Sequence, residues 1–293
     1  MTETSDRREH GLALVFAHPD DETFGCAGIM AEAASRGIPV TLICATRGEA
    51  GDSGLPGLET PELLGAVREE ELRAAMAHLS VFDVRMLGFR DSGMPGSPHN
   101  ADPRAFCNAD EHVVAARLAI MLRQIRPAVV VTFGEDGIYG HADHLVSHRT
   151  TVEAVRLAAE PELLRHIYEP WQVGALYFVA APREELIAMF ERRGKPGNGM
   201  PEEVIARMGT PKEEITHWLN ISQWSEAKIA AIQAHRTQTG PGGPISGLAG
   251  DDLRRRLERE TFVRAPLPWG MDADDPIRER DIIALLAAES ATA

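Results

Sequence analysis

The sequence predicts an α/β fold: a Rossmann-like three-layer sandwich built on a mostly parallel sheet. Two observations carry this expectation. Short continuous apolar runs recur along the chain, as suits strands buried on both faces. Between them lie helical patterns bounded by Gly or Pro, the strand–helix alternation of a parallel sheet.

The elements follow in order. Leu12–Ala17 (LALVFA) reads as the first strand. A helical pattern follows, with apolar Phe24, Ala27, Ile29, Met30, Ala33 and Ala34, and Gly37 stops it. Pro39–Ala45 (PVTLICA) is the next buried strand and completes a βαβ unit. Pro61–Leu79 reads as a helix, and Asp83–Leu87 as a strand. Ala109–Ile125 is a helix closed by Arg126-Pro127, because a residue before proline disfavours the helical region. Ala128–Phe133 (AVVVTF) is a strand, His144–Glu160 a helix, and Gly174–Ala180 (GALYFVA) a strand. The last third carries breaker-rich loops at Gly194–Pro201 and Gly240–Gly250, with a helix at Gln223–Thr237 between them. No internal repeat or low-complexity linker interrupts the chain. It is read as one domain over residues 1–293, with a core at about 11–181 and an irregular C-terminal extension at about 182–293.

Composition narrows the function. Lys and Arg number 30 against 44 Asp and Glu, a formal charge of −14. Phosphate backbones and anionic lipid both demand a basic surface, so neither nucleic acid nor membrane is an expected partner. A small neutral substrate remains compatible with that charge. Cys26, Cys44 and Cys107 are widely spaced and form no CxxC, so no disulfide framework or cysteine zinc site is expected. Met1–His10 is polar, and no run of 18 apolar residues occurs. The expected location is the cytoplasm.

Two polar clusters stand out, each just after a buried strand. The first is His18-Pro19-Asp20-Asp21-Glu22; the second runs from Gly134 to His144 (GEDGIYGHADH). Sites in open α/β sheets form beyond the carboxyl ends of the strands. One imidazole beside three carboxylates is costly for a plain turn, and a divalent cation relieves the repulsion. Catalytic zinc commonly takes three His, Asp or Glu ligands and keeps one position open. His18 and Asp21 supply two ligands, and His144 supplies a distant third. Asp20 is the candidate proton acceptor. Two alternatives stay open on spacing alone: Asp20 or Asp21 as a helix N-cap, and His148, one turn after His144, as a ligand. Fe2+ suits the same donors.

The motifs AHPDDE and GHADH together resemble the LmbE-like or PIG-L superfamily of zinc-dependent N-acetylglucosaminyl deacetylases. Thr46-Arg47-Gly48-Glu49, Arg68 with Glu71-Leu72, Leu87–Met94 (LGFRDSGM) and AHRTQ with His235 and Gln238 extend the resemblance over most of the chain. Arg90–Met94 and Tyr139–His141 resemble the mycothiol group within it, the deacetylase of N-acetylglucosaminyl-inositol and the mycothiol-conjugate amidase. Ala142 departs from the proline common there. The resemblance implies zinc ligation by His18, Asp21 and His144, favouring His144 over His148. It implies Asp20 as general base and His141 as oxyanion stabiliser, with Asp143 orienting His141. It further implies an assisting Tyr139, and substrate contacts from Arg68, Asp91 and Arg47. The implied reaction is removal of an acetyl group from an N-acetylglucosamine conjugate. A thiol-conjugate amide as substrate and a non-catalytic sugar-binding protein are the alternatives. A homo-oligomer is compatible with either.

Overall fold

The computed structural model describes residues 11–53, 55–163, 166–192, 208–240, 257–269 and 281–292, together with residue 253. The Gly194–Pro201 loop and nearly all of the Gly240–Gly250 loop lie outside the described residues.

Among the described residues seven strands form one sheet: β1 (Gly11–Phe16), β2 (Val40–Thr46), β3 (Asp83–Phe89), β4 (Pro127–Phe133), β5 (Ala175–Val179), β6 (His217–Asn220) and β7 (Arg259–Arg264). Their spatial order is β3-β2-β1-β4-β5-β7-β6. The first five are parallel; β7 runs antiparallel to β5, and β6 antiparallel to β7.

Alternate residues of β1 explain the layers. Leu12, Leu14 and Phe16 face one apolar cluster and Ala13 and Val15 the other, so both faces need a helical cover. Helices α1 (Asp21–Ser35) and α2 (Pro61–His78) cover the first face with Ile29, Met30, Leu72 and Met76. Helix α3 (Glu111–Ile125) covers the second with Val114, Leu118 and Leu122. After the single turn α4 (Gly137–Gly140), helix α5 (Ala142–Ala159) joins α3 through Val146, Ala154 and Val155.

Local chemistry sets the helix ends. Gly37, at φ 72°, takes the left-handed position beyond α1. Thr60 accepts from the Leu63 N–H, with Pro61 opening α2. Asp110 caps α3, so that helix starts slightly later than the predicted Ala109.

The last third is more regular than the sequence predicts. Helix α6 (Arg183–Arg192) follows β5, and α7 (Ser225–Ala234) lies within the predicted Gln223–Thr237 helix. Strands β6 and β7 and a helix at Ile282–Thr292 are additions to the predicted elements. A buried contact ties this region to α1. Glu260 on β7 accepts from the Gly28 and Ile29 N–H groups at 2.7 and 3.0 Å and pairs with Lys228 Nζ at 2.8 Å.

The chain order reverses direction between β1 and β4, which are neighbours in the sheet. Loops leaving their carboxyl ends diverge there and leave a crevice. Both polar clusters sit at that point.

Candidate active site

A cleft of about 810 Å3 opens over the ends of β1 and β4. His18, Asp20, Asp21, Tyr139, His141 and His144 line it, together with Met94, Leu186 and Trp218.

Two imidazole nitrogens and the two oxygens of one carboxylate converge there. His18 Nδ1 is 3.3 Å from His144 Nε2, His144 Nε2 is 3.3 Å from Asp21 Oδ1, and His18 Nδ1 is 3.4 Å from Asp21 Oδ2. Tetrahedral ligands at about 2.0–2.1 Å from a zinc ion sit about 3.3–3.4 Å from one another. The donor set therefore fits a small divalent ion. His141 also lies close enough to join His18 and His144 in a three-histidine group.

The far sides of both imidazoles support the same orientation. His144 Nδ1 sits 3.0 Å from the Gly137 carbonyl, which can only accept, so Nδ1 carries the proton and Nε2 offers a lone pair. His18 Nε2 sits 3.2 Å from both Asp143 Oδ2 and Asp91 Oδ1, which leaves Nδ1 for the cluster. A carboxylate behind a ligating histidine fixes its ring and raises its basicity. Burial opposes a charge on His18, but Asp91, Asp143 and Asp21 outweigh it and hold its pKa well above the ordinary value. Burial likewise pushes the Asp21 carboxyl up, but His144 and His18 dominate and hold it well below the carboxylate range.

Asp143 touches both His18 and His141. Its carboxylate faces His18 and accepts from the Ser92 N–H at 2.9 Å. Its link to His141 runs through its backbone N–H, which donates to His141 Nδ1 at 3.2 Å. His141 is thus the N-cap of α5, so that helix begins earlier than the predicted His144. With Nδ1 accepting, the His141 proton resides on Nε2. Burial, and then the neighbouring His18 and His144, push the His141 pKa far down, so the ring is a neutral donor.

Asp20 holds the N-cap position of α1 but makes no capping hydrogen bond with its side chain. Its φ is 114°, a left-handed value that costs a non-glycine residue about 1–3 kcal/mol. Burial, then the charges of Asp21 and Glu22, raise its pKa to about 6, against the lowering influence of Arg68 and His235. Arg68 is buried on α2. It donates to the Gly48 carbonyl at 2.7 Å and the Pro19 carbonyl at 2.6 Å, with Asp20 Oδ1 at 3.4 Å. A Cβ on Gly48, itself at φ +66°, would collide with the Arg68 guanidinium, so this approach requires glycine.

Tyr139 follows Ile138, whose φ of 65° is strained for a β-branched residue. The Tyr139 ring lies 5.1 Å from the His144 ring. Burial, and then Asp21, push its phenol pKa far up, so it stays protonated.

Three other candidates fall differently. Arg47 is exposed, pairs with Glu69 at 2.7 Å and is not among the residues that line the cleft. Asp91 borders the cleft, but its oxygens already take the Ala50 and Gly93 N–H groups and His18, so it supports the site from beneath. His148 turns away: its Nδ1 lies 2.9 Å from the Phe133 carbonyl, and its ring packs edge-on against Phe178.

Sequence reasoning misses the roles of Glu22, Glu71 and Thr237. Glu71 on α2 accepts from the Thr237 N–H and hydroxyl, fixing the segment that brings Thr237 and Gln238 to the cleft. The AHRTQ motif is the available signal, though it names no partner.

The chain is similar to known proteins of one family. Residues 13–155 match the model of the PIG-L family, described as GlcNAc-PI de-N-acetylase. A Thermobifida fusca protein is 39% identical over 278 residues, covering 90% of this chain and 95% of its own. A Thermomonospora curvata protein is 38% identical over 284 residues, covering 92% and 94%. Both carry the name 1D-myo-inositol 2-acetamido-2-deoxy-alpha-D-glucopyranoside deacetylase. Among solved structures, the conserved protein TT1542 from Thermus thermophilus superposes with a TM-score of 0.55 at 25% identity, covering 89% of this chain and 99% of that one. Among the described residues no helix is long and apolar enough to cross a membrane. With the relatives aligned nearly end to end and the paired motifs meeting in one cleft, this chain belongs to the PIG-L family.

Proposed function

We propose that this chain is a zinc-dependent hydrolase that removes the acetyl group from 1D-myo-inositol 2-acetamido-2-deoxy-alpha-D-glucopyranoside. The convergence of His18 Nδ1, His144 Nε2 and the Asp21 carboxylate beside Asp20 carries this reading. The substrate is the one that the Thermobifida and Thermomonospora relatives are named for.

His18, Asp21 and His144 would hold the ion. Bound there, zinc supplies a Lewis acid for the amide carbonyl and a water of lowered pKa. Asp20 accepts the proton of the attacking water on its carboxylate and hands it to the departing amine. A pKa of about 6 suits a group that must do both near neutrality. His141 meets the carbonyl oxygen as negative charge grows, donating from neutral Nε2–H. Tyr139 adds a protonated phenol at the same wall. Arg68 holds the Pro19 carbonyl and the Asp20 carboxylate, which keeps the proton acceptor at the cleft.

Acetate release from the purified sugar conjugate, before chelation, after chelation and after zinc is restored, tests the reading. Release that disappears and returns is expected. Persistent failure to release acetate, or hydrolysis of a thiol-conjugate amide in its place, overturns it.

A further inference from the structure

The Glu22 carboxylate is fully buried and does not line the cleft, although it sits in the same five-residue motif as three residues that do. Its Oε2 accepts from the Asp20 N–H at 3.0 Å. Its Oε1 lies 2.9 Å from His235 Nε2, and both side chains are buried. His235 arrives from 213 residues away in sequence, just past α7. A buried ion pair is weak evidence of stabilisation, because desolvation consumes most of its attraction. The placement of this one calls for another reason.

Asp20 supplies it. A residue at an N-cap ordinarily turns its own carboxylate onto the first N–H groups of the helix. Asp20 does not, and its backbone sits at φ 114°. Glu22 reaches back from N2 to the N–H of the cap residue, one position before the N3 acid of a capping box. That N–H moves with rotation about φ. The carbonyl of the same residue is taken by the Thr23 hydroxyl at 2.8 Å, and Arg68 takes the preceding carbonyl. The Asp20 peptide is gripped on both sides while its carboxylate is left for the cleft.

We infer that Glu22 and His235 form a buried positioning pair that holds Asp20 in its left-handed conformation, so that its carboxylate faces the cleft instead of capping α1. The pair links the C-terminal third, beyond residues 13–155, to the proton acceptor. The inference rests on the reading of Asp20 given under Proposed function. Glu22 and His235 touch no substrate and act through Asp20.

Glu22→Met keeps the length of the side chain and removes the acceptor; Glu22→Gln keeps an acceptor oxygen. The first should lower kcat by about 100-fold with KM and zinc content unchanged, the scale of a misplaced catalytic group. The second should recover to within about 10-fold of wild type. In an Asp20→Ala background, Glu22→Met should add less than about 3-fold, because both changes remove one function. A full additional loss in that background overturns the inference. Should Glu22→Met fail to fold, His235→Met takes its place in the cycle with the same criterion. A crystal structure of the variant supplies a readout independent of turnover. Asp20 returning to negative φ supports the inference, and Asp20 remaining near φ 114° overturns it, whatever substrate the enzyme takes.

Discussion

The Asp143 carboxylate lies 3.2 Å from His18 Nε2, whereas only the Asp143 backbone N–H reaches the His141 ring. The Asp143 side chain is therefore coupled to a candidate metal ligand, and its backbone to His141. Asp143→Asn should weaken zinc binding by about 10–100-fold, the usual cost of losing a carboxylate behind a ligating histidine. Excess zinc should restore most of the turnover. Competition with a chromophoric chelator measures the affinity. Unchanged affinity with low kcat would return Asp143 to the role of orienting His141.

Asp20 predicts a conflict between stability and activity. Asp20→Gly relieves the left-handed backbone and removes a half-buried carboxylate beside Asp21 and Glu22. The chelated protein should gain about 1 kcal/mol, the strain relief less the added freedom of the unfolded chain. Turnover should fall by about 100-fold or more, the contribution of a general base. Denaturant midpoints of the two proteins give the sign, and a less stable glycine variant would mean that the backbone is not strained.

The contrast between these predictions and the sequence shows where legibility ends. Four of the five parallel strands are legible because each is a largely apolar run, and the edge strand β3 (DVRMLGF) keeps Val84, Met86 and Leu87 beside Asp83 and Arg85. Strand β7 is not: it carries Arg259, Glu260 and Arg264, and the buried charge of Glu260 is matched by Lys228, 32 residues away. The motif histidines and aspartates could be placed at the ends of β1 and β4, since the loops that diverge at a switch point leave a crevice between them. What each touches depends on ring rotation and on backbone groups such as the Ser92 N–H and the Gly137 carbonyl, which no residue type encodes.

Arg47 and Arg68 look alike in sequence and should behave differently. Arg47→Ala, at an exposed pair with Glu69, should change kcat/KM by less than about 2-fold and stability by less than about 0.5 kcal/mol. Arg68→Ala removes two buried charge-assisted bonds to the Gly48 and Pro19 carbonyls and should cost about 2–4 kcal/mol. Thermal melts and initial rates on both variants decide. Equal effects would mean that burial does not separate them.

The two histidines of α5 divide in the same way. His144→Ala should abolish stoichiometric zinc by elemental analysis, because His144 Nε2 is one corner of the donor triangle. His148→Ala should retain it, with its Nδ1 held at the Phe133 carbonyl. Zinc lost from the second variant alone would exchange the two assignments.

The Glu22–His235 pair also sets a pH dependence of stability. Burial opposes the His235 charge, but Glu22, and then Asp20, outweigh it, and Arg68 pulls the other way. The pKa in the folded state therefore lies above the unfolded value of about 6.5. A raised histidine pKa means the folded state holds the proton more tightly. Its contribution is fully present below the unfolded pKa and is lost as pH rises through the folded one. The chelated wild type should accordingly lose stability as pH climbs from about 6.5 through that window. His235→Gln keeps an N–H donor near Glu22 but cannot titrate, so this part of the slope should vanish in the variant. Denaturant midpoints taken across the window for both proteins measure the difference. Parallel profiles would show that His235 binds its proton no more tightly in the folded chain than in the unfolded one.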